Sequence, residues 1–222
     1  FENLHNLNSN SMKAIRLIAL AACMAATLDA SAQEQEIRLF SHRGGRMEHD
    51  ENTLSAFQAS YDAGYRGFET DIRMTRDGAL VITHDSSLER TTNGTGTVEE
   101  KTEAEIRQLA TKQGNKMMFL DELLEFLKGK EGLYVEFEMK TKPEVLYPEE
   151  RLHAYCDKLY DAVMAVKPAD ATFVFTSGDY RGLRYLQAKH PGVDLLLITS
   201  KPCNDETIDL CKAMGIKRMG AT

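Results

Sequence analysis

Residues 69–85, ETDIRMTRDGALVITHD, bring Glu69, Asp71 and His84 into one short run. On a strand, residues two apart point to the same face, so Glu69 and Asp71 present their carboxylates together. Asp77-Gly78 is a hairpin signal, because both residues tolerate the positive φ of tight turns. A two-residue turn there sets Arg76 opposite Ala79, Met74 opposite Val81 and Asp71 opposite His84. Residues 80–83 are apolar and β-branched enough to return as a strand. The hairpin then places an imidazole beside a carboxylate pair. An amphipathic hairpin with solvated charges is the plainer alternative; three converging ionisable groups favour a site.

Further along, the run EFEMK at 136–140 supplies Glu138 and Lys140. Glu69, Asp71 and Glu138 are hard oxygen donors that suit Ca²⁺ or Mg²⁺. Without a cation, three inward carboxylates repel one another and drive a pKa up. Glu136 shares the strand parity of Glu138 and is an alternative third carboxylate. His42 and His84 are candidates for a general acid/base pair, although either alone is more often structural. Arg43 offers a planar fork for a phosphate and Lys140 a point charge, although a lone arginine more often ends in a surface ion pair. Together these groups suit phosphodiester cleavage, in which cations hold phosphate oxygens while one histidine takes a proton and the other gives one.

The elements that must position these groups alternate. Strands are expected at 37–41, 67–75, 133–140, 171–176, 193–199 and 216–220, with the hairpin strand at 80–83. Helices are expected from Asn52-Thr53 to Gly64, then over 97–110, 120–128, 149–166, 181–190 and 206–215. About six parallel strands alternating with helices argue for a (β/α) barrel, whose chemistry sits at the C-terminal strand ends. His42 and Arg43 follow the first strand, Glu69 and Asp71 lie late in the second, and Glu138 and Lys140 end the third. Three strands thus present ionisable groups at one end.

The chain has 222 residues, 42% hydrophobic and 27% charged, with a formal net charge of −7. These values suit a globular protein, and the absence of a long Lys/Arg run gives nucleic-acid binding no support. Residues 12–32 carry Lys13 and Arg16, an apolar stretch and Ala30-Ser31-Ala32, the layout of a signal peptide cleaved after Ala32. That reading implies a periplasmic or secreted protein. Leu20-Ala21-Ala22-Cys23 resembles a lipoprotein box, set aside because few apolar residues separate it from Arg16. A membrane span is disfavoured by the short apolar run and by Asp29. Residues 1–32 are therefore read as upstream sequence and signal peptide, and 33–222 as the folded domain. Export leaves Cys156, Cys203 and Cys211; Cys203 and Cys211 either form one disulfide or stay free. Oligomeric state has no signature.

HRGG at 42–45, ENT at 51–53, ETD at 69–71, TRDG at 75–78, THD at 83–85, LERTTNGTG at 88–96 and EMK at 138–140 stand in the order and spacing of a known family. The chain resembles the glycerophosphodiester phosphodiesterase family over residues 37–140, and the alternation continues beyond. The resemblance implies a TIM barrel with an inserted segment after the hairpin. It also implies metal-dependent hydrolysis of small glycerophosphodiesters to sn-glycerol 3-phosphate and an alcohol. By the same resemblance, Glu69, Asp71 and Glu138 bind the metal, which favours Glu138 over Glu136. His42 and His84 are the acid/base catalysts, and Arg43, Glu51 and Lys140 bind or orient the phosphate. The family mechanism implies attack by the substrate's own glycerol 2-hydroxyl, through a cyclic phosphate. Two departures stand out. Asp50 precedes ENT where the family usually has proline. The chain has no tryptophan, and its strands amount to six-eighths of a barrel, read as a fragment or truncated product. A related phospholipase acting on intact lipid, a non-catalytic binding protein and a fragment that cannot fold are the competing readings.

Overall fold

A computed structural model describes residues 39–221. The expected signal peptide and cleavage site lie outside the described residues. One sheet carries β1 (Phe40–His42), β2 (Gly67–Met74), β3 (Leu80–Ile82), β4 (Tyr134–Met139), β5 (Thr172–Ser177), β6 (Leu195–Thr199) and β7 (Arg218–Ala221). Six strands run parallel in the order β1-β2-β4-β5-β6-β7, and β3 pairs antiparallel with β2. The sheet curls into a half-barrel, the TIM-type architecture expected from the alternation. The helices are α1 (Leu54–Asp62), α2 (Glu103–Ile106), α3 (Leu120–Leu127), α4 (Glu149–Val166), α5 (Tyr180–Lys189) and α6 (Asp205–Ala213). Among the described residues, no helix is long and apolar enough to cross a membrane.

Strand alternation divides the sheet into two faces. Phe68, Ile72, Val135, Phe137, Phe173, Phe175, Leu195 and Leu197 face the helices and join Phe57, Phe126, Tyr155 and Leu186 in the main core. Phe137 meets Phe173 edge-on with ring centroids 5.2 Å apart. The opposite parity puts Glu69, Asp71, Glu136 and Glu138 on the concave face. Thr53 caps α1 by accepting from Ala56 N–H, as its position before the apolar run requires.

Two local expectations are corrected. The turn after β2 is wider than two residues. Thr75 Oγ1 accepts from Ala79 N–H at 2.8 Å and donates to Asp77 Oδ1 at 2.7 Å, so residues 75–79 close as one loop around Gly78 at φ +88°. The register shifts by one: Arg73 faces Val81, Met74 faces Leu80, and Thr83 N–H donates to the Asp71 carbonyl at 2.9 Å. His84 therefore stands just past the pairing and does not lie opposite Asp71. The second correction is at 97–110, which is not one helix. A 3₁₀ turn at Val98–Glu100 is followed by extended Lys101 and the single turn of α2. The segment is held to the hairpin loop instead: Arg76 N–H donates to the Lys101 carbonyl, and Glu103 N–H to Asp77 Oδ1. Val98 and Ile106 plug a second core with Val81, Leu88, Met117 and Phe119. These tertiary contacts outweigh the helical preference of a short acidic run.

Candidate active site

Parallel register builds the centre. His42 pairs with Glu69, and Asp71 pairs with Glu138, while Glu136 pairs with Glu69 one layer further down β4. Glu69, Asp71 and Glu138 each offer one oxygen, and these three atoms lie within 4.8 Å of one another. Glu136 stays outside that group. Asp71 is fully buried and Glu69 nearly so.

The rest of the centre forms a chain of opposite charges. Arg43 sits at φ +55°, where the HRGG turn leaves β1. The following glycine has to approach α1 closely, since a Cβ on Gly44 would lie 3.0 Å from that of Ala56. Arg43 N–H donates to Glu69 Oε2 at 3.2 Å; its Nε lies 3.2 Å from Asp71 Oδ2, and Nη1 donates to Glu51 Oε1 at 3.1 Å. Arg90 grips both oxygens of Glu51 at 2.7 and 2.9 Å and also binds Asp85. Asp85 in turn lies 2.6 Å from His84 Nδ1. Across the centre, Lys140 Nζ donates to Glu138 Oε1 at 2.8 Å and lies 3.6 Å from Asp71 Oδ1. His42 Nε2 stands 3.5 Å from Glu69 Oε2, with its side chain half exposed to solvent.

Asn52, Asp85 and Arg90 join the centre although the sequence assigned them no part in it. Asn52 Nδ2 donates to Asp71 Oδ2 at 2.9 Å from an αL backbone, φ +58°. ENT and LERTTNGTG contain Asn52 and Arg90 but not their partners Asp71 and Glu51, which are 19 and 39 residues away, while THD sets Asp85 next to His84. At the position where the family usually has proline, Asp50 accepts from Asn115 Nδ2 at 3.0 Å and ties this loop to the inserted segment. Cys156, Cys203 and Cys211 are all free, so the disulfide alternative is not realised.

The carboxylates fit a hard cation. Glu69 Oε1 and Asp71 Oδ1 are buried with no hydrogen-bond partner. Oxygens on opposite sides of a Ca²⁺ at 2.3–2.6 Å stand about 5 Å apart, a span these three oxygens match. Burial raises Glu69 well above the ordinary carboxylate range, helped by the charges of Asp71 and Glu138. Burial also raises Glu138, with Lys140 opposing. Burial lowers His42, reinforced by Arg43 and Arg46. Burial alone would raise Asp85, but hydrogen bonds from Arg90 and His84 hold it at about 2.

These shifts set the pH dependence of stability. Glu69 and Glu138 prefer their protons in the fold, so their contribution is complete below about 4.5 and is lost as pH rises through their raised values. Asp85 has the opposite sign: its contribution is present above its ordinary 3.8 and is lost as pH falls through about 2. In EDTA the melting temperature is therefore expected to decline from mildly acidic to neutral pH, and added Ca²⁺ or Mg²⁺ to raise it more at the higher pH. Thermal melts at several pH values, with and without cation, check this. A cation effect independent of pH would speak against the carboxylate site.

A second expectation concerns Arg90. Arg90→Ala frees Asp85 and Glu51 together, and loss of such supporting contacts typically costs about 10–100-fold in activity. The loss should appear in kcat with only a small drop in the melt, because the guanidinium is about half exposed and solvent screens its ion pairs.

The profile of the glycerophosphoryl diester phosphodiesterase family matches residues 42–221. The chain belongs to this family. A glycerophosphodiester phosphodiesterase of Caldanaerobacter subterraneus is 37% identical over 123 residues, 51% of this chain and 50% of that protein. Human glycerophosphodiester phosphodiesterase 1 is 42% identical over 73 residues, 33% of this chain and 22% of that protein. The chain spans about half the length of the first curated family members that it matches. Among solved structures, a phosphodiesterase of Oleispira antarctica superposes with a TM-score of 0.74 at 22% identity, covering 83% of this chain and 74% of that one. A glycerophosphoryl diester phosphodiesterase of Parabacteroides distasonis gives 0.63 at 27% identity, covering 85% and 63%. The family assignment agrees with the sequence resemblance, and the fold of these neighbours with the half-barrel.

Proposed function

We propose that the chain hydrolyses glycerophosphodiesters to sn-glycerol 3-phosphate and an alcohol, using a divalent cation. The observation that carries this is the set of three clustered carboxylates flanked by His42, Arg43 and Lys140, with His84 joined to the same network through Asp85, Arg90 and Glu51. Glu69, Asp71 and Glu138 would hold Ca²⁺ or Mg²⁺, which when bound polarises phosphate oxygens and stabilises the charge that develops there. Arg43 and Lys140 add positive charge for the same oxygens, and Glu51 orients Arg43.

His42, with its lowered pKa, is neutral near pH 7 and fit to take the proton from the attacking glycerol 2-hydroxyl. The new O–P bond closes a cyclic phosphate as the P–O bond to the alcohol breaks. Asp85 engages His84 Nδ1, which leaves Nε2 to give a proton to the departing oxygen. In the second half the roles reverse. His84 takes a proton from water, the water oxygen bonds phosphorus as the P–O bond to the glycerol 2-oxygen breaks, and His42 returns its proton to that oxygen. The structure of the Oleispira antarctica phosphodiesterase contains sn-glycerol 3-phosphate as product, which is consistent with this reading.

The test is to incubate the chain with glycerophosphocholine, and separately with phosphatidylcholine vesicles, following phosphorus products by ³¹P NMR and choline by ¹H NMR. Glycerol 3-phosphate and choline from the first, with the second untouched, support the proposal. Attack on intact lipid instead would move the assignment to a phospholipase. Export belongs to the same proposal and rests on residues 12–32; secreted or periplasmic protein beginning after Ala32 would support it.

A further inference from the structure

Beneath the catalytic groups lies a buried ion pair that the reaction does not use directly. Arg73 follows Glu69 and Asp71 on the same face of β2 and is nearly buried, as is Glu99 from the 3₁₀ turn. Arg73 Nε donates to the His84 carbonyl at 2.9 Å. Its Nη1 donates to Glu99 Oε1 at 2.8 Å and to the Lys140 carbonyl at 3.2 Å. One guanidinium thus bridges the backbone of the acid/base histidine and the backbone of the phosphate-binding lysine. Glu99 is itself fixed. Ser86 Oγ donates to its Oε2 at 2.6 Å, and Tyr147 donates to Oε1 at 3.0 Å while accepting from Met74 N–H.

The pieces arrive from separate elements. His84 follows β3, Lys140 follows β4, and Glu99 belongs to the inserted segment. A buried guanidinium needs acceptors for its donors, and its planar fork fixes their directions. Lysine at this position could not meet two carbonyls and a carboxylate in the same geometry. We infer that Arg73 and Glu99 are positioning residues: the Arg73 fork sets the separation of His84 and Lys140, and the inserted segment holds that fork through Glu99. This rests on the roles proposed above for His84 and Lys140.

The test compares the full chain with Arg73→Met/Glu99→Leu and with Arg73→Lys. The double variant removes both charges, so neither is left buried alone. Thermal melts, kcat and KM for glycerophosphocholine, and NMR of the histidine rings are measured on each. The double variant is expected to melt cooperatively. Its His84 ring signals should shift or broaden while those of His153 and His190, on and after the outer helices, stay in place. A misplacement of about 1 Å costs about 10²-fold in rate, so kcat should fall about 10–100-fold with a smaller change in KM. Arg73→Lys should show the same pattern despite its retained charge. Unchanged His84 signals, or an activity loss that only follows the unfolded fraction, would overturn the inference. If the unaltered chain hydrolyses nothing, the functional proposal fails while the ring signals still decide the clamp. If the double variant does not fold, Arg73→Lys decides it by the same signals.

Discussion

His84→Ala is expected to lower kcat for glycerophosphocholine by about 10²–10⁴-fold, the usual worth of a positioned general acid or base. The fold should tolerate the change. The ring is partly exposed and contacts Asp85, which keeps Arg90, while the His84 backbone carbonyl stays on Arg73. Cation binding should also persist, because none of the three clustered carboxylates is altered. The leaving group makes the expectation sharper. If His84 protonates the departing oxygen, an activated ester such as a p-nitrophenyl glycerophosphate needs little help and should recover much of the rate. His42→Ala should lose a comparable factor on both substrates, since deprotonation of the attacking hydroxyl is required for either. The double variant should lose little more than the worse single, because residues acting as a unit are not additive. Equal losses for His84→Ala on both substrates would remove it from the acid role.

Asp71→Asn has the second large effect, and here stability and activity part company. Asp71 and Glu69 are buried with Glu138 half-buried beside them, and burial, then the charges of Asp71 and Glu138, raise Glu69. Asparagine removes one of those charges and can still accept from Asn52 Nδ2. Arg43 keeps Glu51 at 3.1 Å and Lys140 keeps Glu138 at 2.8 Å, so neither cation is stranded. The cation-free variant should therefore melt no lower than the parent chain. What it loses is the response to Ca²⁺ or Mg²⁺. A ligand at 100 times its Kd stabilises the fold by about 2.7 kcal/mol, and that increment should vanish. Activity should fall by about 10³-fold, roughly 4 kcal/mol, if metal stabilisation of phosphate charge is lost. Melts in EDTA and in cation, beside steady-state rates, check both halves. A strongly destabilised variant would mean that Asp71 is mainly a structural anchor for Arg43.

Much of this was legible in the sequence because it depends on period and order. Strand and helix alternation gave six parallel strands and the barrel type, period two placed Glu69 and Asp71 on one face, and strand order set Glu138 at the same end of the sheet. Strand parity does not separate Glu136 from Glu138. The resemblance favoured Glu138, whose oxygen lies with those of Glu69 and Asp71 within 4.8 Å. The hairpin register was misread by one because the turn is closed by the Thr75 hydroxyl, a side-chain contact that the Asp-Gly signal does not contain. The helix expected at 97–110 gave way to docking against the hairpin loop, a tertiary contact. Asn52, Arg90, Arg73 and Glu99 went unassigned for the same reason: each acts through a partner distant in the chain.

In the proposed reaction the three carboxylates hold a cation that the hydrolysis requires. The most direct measurement takes the metal-stripped chain and titrates it with Ca²⁺ and, separately, Mg²⁺, following glycerol 3-phosphate release and melting temperature in the same samples, with Glu138→Gln alongside. Activity should be absent in EDTA and should rise with the melting temperature at one shared midpoint, with both responses weakened in Glu138→Gln. Full hydrolysis in EDTA, or a cation response that Glu138→Gln leaves intact, would contradict it.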